Sequence, residues 1–194
     1  MNQELPLQDI VEFLLDVHLF HMLNEGELAD FISIAKLQHY QSGTTLFSEG
    51  DLGDAFYVIY KGSIQVKRRN PFHEQSQIAN LIAGTCFGEM AILDDSPRSA
   101  TIIITEESIL LRFSKREFLG LIKSQSVAAY KVIHSMAQQL AQRQRSLNQR
   151  IENMDRDMND LEELWLELTL EADEQEENTS NKNNETESKE RINL

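Results

Sequence analysis

The chain has 194 residues, 41% of them hydrophobic, and a formal net charge of −14. That length allows one domain with appendages, and so acidic a surface repels a phosphate backbone, which excludes general nucleic-acid binding. No apolar run approaches the roughly 20 residues a membrane span needs, and a single cysteine, Cys86, excludes an intrachain disulfide and fits a reducing cytoplasm.

In chain order, residues 1–36 read as short helices. The start lacks a basic n-region and a small-residue cleavage site, so no signal peptide is expected. "PLQDIVEFLLDVHLFHML" places Ile10, Val11, Leu14, Leu15 and Val17 at helical spacing. "NEGELADFISIAKL" repeats the pattern, with Asn24 and Glu27 as an N-terminal capping pair. His18 and His21 stand three apart, but a metal needs a third ligand and none is near in sequence, so a capping or surface role is expected.

Residues 37–125 read as strands closed by a hinge helix. "TTLF", "AFYVIY", "SIQVKR", "SQIANLI", "ATIIIT" and "SILLRF" are β-branched or aromatic runs separated by glycine turns. The expected fold is α+β: an antiparallel β-barrel of jelly-roll type with flanking helices, followed by a long coiled-coil helix. "SKREFLGLI" is the hinge helix, capped by Ser114.

Residues 126–172 read as that long helix. Ile133, Leu140, Leu147, Met154, Leu161 and Leu168 alternate with Ala137, Gln144, Ile151, Met158, Trp165 and Ala172 in steps of four and three. A helix from Tyr130 to Ala172 runs roughly 65 Å, and packing on its own barrel explains only its first turns. A parallel homodimer is expected. Residues 173–194, rich in Glu, Asn, Ser and Lys, are expected to form a disordered acidic tail.

The segment "FGEMAILDDSPRSAT", Phe87 to Thr101, carries the chemistry. Gly88 lets backbone approach a ligand. The turn at "EMAIL" aims free N–H groups at an anion. Arg98 offers a planar fork of donors, set between Pro97 and Ser99. Glu89 accepts only hydroxyl or amide donors when ionised. Acid and base together suit a phosphorylated ribose.

The same segment closely resembles the phosphate-binding cassette of cyclic-nucleotide-binding domains, with Phe87, Gly88, Glu89, Met90 and Ala91 followed by Pro97, Arg98, Ser99, Ala100 and Thr101. The resemblance implies that Glu89 takes the ribose 2′-hydroxyl and Arg98 the equatorial phosphate oxygens. Backbone amides around Ala91 and Ser99 would hold the other oxygens, with Val66 and Ile78 against the base. It implies cAMP ahead of cGMP as ligand, no metal and no enzymatic activity.

The layout is most similar to the sensory half of bacterial catabolite activator proteins, which implies base contacts from Arg143 and Gln144 across a dimer. Gln144 also reads as a register-setting polar residue of the coil. No helix-turn-helix pattern follows the coil, so DNA is not an expected partner. The output surface would be the coil, read by a protein partner. Two other readings stand beside this one. In one, the barrel is a rigid, ligand-free head of a structural adaptor. The other, a cupin-like enzyme, lacks the expected histidine cluster on its inner strands.

Overall fold

The computed structural model of the chain describes residues 6–70 and 75–192, with side chains as far as 165. Two compact units divide it, one reaching Gln139 and one running from Leu140.

The first unit opens with α1 (Leu7–Asp16), a 3-10 turn (His18–Phe20) and α2 (Glu25–Ile34). The capping pair forms: Glu27 N–H donates to Asn24 Oδ1 at 2.9 Å, and Asn24 N–H donates to Glu27 Oε2 at 3.0 Å. Eight strands follow: β1 (Ala35–Tyr40), β2 (Thr45–Phe47), β3 (Ala55–Lys61), β4 (Ser63–Arg69), β5 (Gln75–Ile82), β6 (Cys86–Phe87), β7 (Thr101–Ile104) and β8 (Ser108–Ser114). They form two antiparallel four-stranded sheets, ordered β1-β8-β3-β6 and β2-β7-β4-β5. The architecture is thus an antiparallel sandwich with flanking helices and a long C-terminal helix. The turn α3 (Met90–Leu93) lies between β6 and β7, and α4 (Lys115–Lys123) and α5 (Val127–Ile192) follow β8.

β1 departs from the sequence reading. "AKLQHY" continues the apolar spacing of α2, yet the helix stops at Ile34 and Ala35–Tyr40 pairs with Phe113–Ser108 of β8. The strand therefore straddles the boundary expected after residue 36. Long-range ladder bonds override helical spacing here, as tertiary context does.

Side-chain alternation along β3 and β8 separates two cores. Phe56, Val58, Leu111 and Phe113 face the helices, packing with Phe20, Phe31, Phe118 and the α5 residues Ala129, Val132 and Met136. Cys86 is buried in this layer. Ala55, Tyr57, Ile59 and Leu110 face the opposite sheet with Phe87, Ile64, Ile102 and Ile104. Phe56 and Phe113 stack with centroids 4.8 Å apart, and truncating either to Ala would cost about 3–5 kcal/mol.

The root of α5 is tied down by polar contacts. Ser126 Oγ accepts from Ala129 N–H at 3.3 Å and donates to Asp30 Oδ2 at 2.6 Å. Lys131 Nζ donates to both Glu27 oxygens at 2.7 and 2.8 Å. That contact, with the Asn24 backbone bond, holds the Glu27 carboxyl below its ordinary pKa. Ser114 caps α4 as expected, accepting from Glu117 N–H at 3.2 Å.

In the second unit α5 is helical as far as Ile192. It thus runs through most of the segment expected to be a tail, although the Asn, Ser and Thr there are weaker helix formers than its Glu, Gln and Lys. Leu147, Ile151, Met154, Met158, Leu161 and Trp165 of the heptad pattern are all more than half exposed. The Leu168 and Ala172 side chains and residues 193–194 lie outside the described residues. No helix among the described residues is long and apolar enough to cross a membrane.

Candidate functional site

The cassette is folded by local chemistry. Phe87 ends β6 stacked on Tyr57, centroids 5.3 Å apart. Gly88 then takes φ 78°, and an added Cβ there would lie 2.8 Å from Arg98 Nη1. Glu89 begins α3, its carbonyl accepting from Ile92 and Leu93 N–H, and its side chain is buried to 2% exposure. Asp94 closes the turn by accepting from the Ser96 N–H and hydroxyl.

The loop between β2 and β3 anchors the far end. Arg98 N–H donates to the Asp51 carbonyl at 2.8 Å, and Gly50 N–H donates to the Arg98 carbonyl at 2.9 Å. Glu49 N–H donates to Thr101 Oγ1 at 3.0 Å. Gly53 allows the loop to close on α3, since a Cβ there would lie 2.1 Å from Ala91 Cβ.

Arg98 is 3% exposed. Its Cζ lies 4.1 Å above the Phe47 ring centroid, a cation–π distance. Nη1 donates to the Gly88 carbonyl at 3.1 Å and Nη2 to Asp54 Oδ1 at 3.2 Å. Nε is buried with no protein acceptor. Burial pushes the guanidinium's pKa down, while Tyr57 and Asp54 act upward. The group keeps its charge throughout the working range of proteins, so a cation sits almost dry with one donor, Nε, unused. Such a group is costly unless an anion or acceptor meets it.

Asp54 extends the site. Its second oxygen accepts from Arg112 Nη2 at 2.6 Å, and its carbonyl accepts from Lys115 N–H at 2.8 Å. Lys115 Nζ in turn donates to the Ala91 carbonyl at 2.8 Å and pairs with Asp95. The first residue of α4 therefore touches both the cassette turn and the backbone carbonyl of Asp54, whose carboxylate pairs with Arg98.

The predicted residues distribute unequally. Phe87, Gly88 and Arg98 come together around Phe47 and Tyr57. Ser99 Oγ lies 3.8 Å from Met90 Sδ, while Ala91 and Ala100 are buried. Val66 is partly buried against the inter-sheet core. Ile78 is 57% exposed, on edge strand β5; the ladder runs from Val66–Ala79 to Lys67–Gln77 and skips Ile78, which is not part of that core. Arg143 and Gln144 belong to the second unit, where Gln144 Nε2 donates to Asn148 Oδ1 at 3.1 Å. The His18 and His21 rings pack tilted by 39° with centroids 4.7 Å apart, and no group of three candidate metal ligands exists among the described residues. Sequence reasoning placed Phe47, Tyr57 and Arg112 in strand runs and Lys115 in the hinge helix, but assigned none of them, nor Asp54, to the site.

Comparison with known proteins agrees with this geometry. Residues 37–125 match the family described as cyclic nucleotide-binding domain. The cyclic AMP receptor protein of Thermus thermophilus is 33% identical over 127 residues, 66% of this chain and 57% of that protein. The chain thus spans little more than half of that curated relative. The crystal structure of the Thermus thermophilus catabolite activator protein superposes with TM-score 0.64 and 30% identity, covering 71% of this chain and 63% of that one. A cyclic nucleotide-binding domain from Methylobacillus flagellatus superposes with TM-score 0.66 and 26% identity, covering 74% and 81%.

Proposed function

We propose, from the premise that residues 37–125 belong to the cyclic nucleotide-binding domain family, that the chain is a non-enzymatic cyclic-nucleotide receptor, with cAMP preferred to cGMP. The observation that carries this reading is Arg98: a guanidinium 3% exposed, its Cζ 4.1 Å over the Phe47 ring, with Nε lacking a protein acceptor. A cyclic phosphodiester supplies the anion that such a fork accepts in pairs. Glu89, buried on the same cassette, takes the sugar hydroxyl. The name of the Thermus relative favours cAMP.

The signal leaves through Lys115. Phosphate drawn to Arg98 shifts the cassette, and the cassette is bonded to the start of α4 through Ala91, Asp95 and Lys115. The turn from α4 into α5 then biases the root of the long helix. Two copies join along the α5 stripe, and a protein partner reads the result. The shift is bounded by the ligand's differential affinity for the two states.

A thermal-shift panel with cAMP, cGMP and a cyclic dinucleotide tests the reading. At 100-fold excess over its dissociation constant a true ligand stabilises by about 2.7 kcal/mol. A rise in melting temperature with cAMP, smaller with cGMP, supports the receptor. No shift with any of them would leave the barrel as the rigid head of an adaptor.

A further inference from the structure

Arg112 is a second cation inside the sandwich. It stands opposite Tyr57 in the β3–β8 ladder, and opposite residues share one face of a sheet; for Tyr57 that is the inter-sheet face. Burial acts to lower the Arg112 pKa, but hydrogen bonds to Tyr57 and Asp54 outweigh it and raise the value. Its side chain is 19% exposed and that of Asp54 67%. Asp54 is shared between the two arginines, and the shorter contact, 2.6 Å against 3.2 Å, goes to Arg112.

We propose that Arg112 is a positioning residue for ligand affinity: it holds the Asp54 carboxylate so that Arg98 can be handed to an anionic ligand. The proposal rests on the receptor reading. Two guanidiniums against one carboxylate leave one positive charge, which a cyclic phosphodiester neutralises. Remove Arg112, and Asp54 and Arg98 already form a neutral pair. Incoming phosphate would then compete with Asp54 for the Nη2 edge and meet an unheld negative charge beside it. Arg112 acts through Asp54, without touching the ligand.

A double-mutant cycle tests this by calorimetric titration of the full chain with cAMP, since coupling between sites is what such a cycle isolates. Arg112→Gln is expected to weaken binding about fivefold, the upper end for a pair whose carboxylate is solvent-screened. Asp54→Asn is expected to tighten it, because the competitor is gone. In the Asp54→Asn background, Arg112→Gln should then change affinity less than about twofold, the additivity error of unlinked sites. Arg112→Lys, which keeps the cation, should recover most of the loss. If Arg112→Gln does not fold, Arg112→Met, which keeps the aliphatic stem, takes its place. An equal loss in both backgrounds, no loss in the natural background, or weaker binding by Asp54→Asn would each overturn the proposal. Unmodified protein that binds no cyclic nucleotide would remove the receptor reading and this proposal together. Normal binding without coupling would remove this proposal alone.

Discussion

Gly88 shows how narrow the tolerances of the site are. Its φ of 78° is one that side chains with a Cβ rarely adopt, and a Cβ would press on Arg98 Nη1 at 2.8 Å and lie 3.5 Å from the Ala55 carbonyl. Gly88→Ala therefore strains the turn by about 1–2 kcal/mol and dislodges the guanidinium from the carbonyl it bonds. The expected outcome is a modest fall in melting temperature with loss of cAMP binding by calorimetry. A variant that binds normally would mean that Arg98 does not need its place on Phe47. Asp54 makes the complementary point. It lies 44 positions from Arg98 and 58 from Arg112, and no local pattern in the sequence joins them.

At the scale of elements, legibility follows the range of the interaction. The Asn24–Glu27 and Ser114–Glu117 caps are contacts three residues apart, and both form as read. The cassette was legible because Phe87 to Thr101 is contiguous and its glycine, acid and arginine occupy fixed places. β1 was only partly legible, because "AKL" continues the helical spacing of α2 and becomes strand only through its ladder with β8, 68 to 78 positions away. Arg112 was hidden for the same reason: within "SILLRF" it looks like a solvent-facing residue, but its register opposite Tyr57 turns it inward.

α5 poses the reverse case. Its heptad pattern was plain, and the structure has Leu147, Ile151, Met154, Met158 and Leu161 exposed along the helix. Each such side chain gains about 1.5–3 kcal/mol when fully buried, and a second copy offers the same stripe. Sedimentation equilibrium should find a dimer, and Leu147→Glu with Leu161→Glu should yield a monomer with an intact sandwich. A double variant that stays dimeric would contradict pairing through this stripe.

For the molecule as a whole, the receptor reading requires that few residues join sensor to output. The sandwich supplies a dry cation; Lys115 bonds the cassette to α4; Lys131 and Ser126 fix the root of α5 to α2. On the receptor reading, helices, sheets and cassette serve one electrostatic event at Arg98. Calorimetric titration of cAMP into the Arg98→Ala protein tests that event most directly. The account predicts a loss of about 2–5 kcal/mol in binding free energy, since the phosphate would enter a buried site with no partner. An affinity equal to that of the unmodified protein would contradict it.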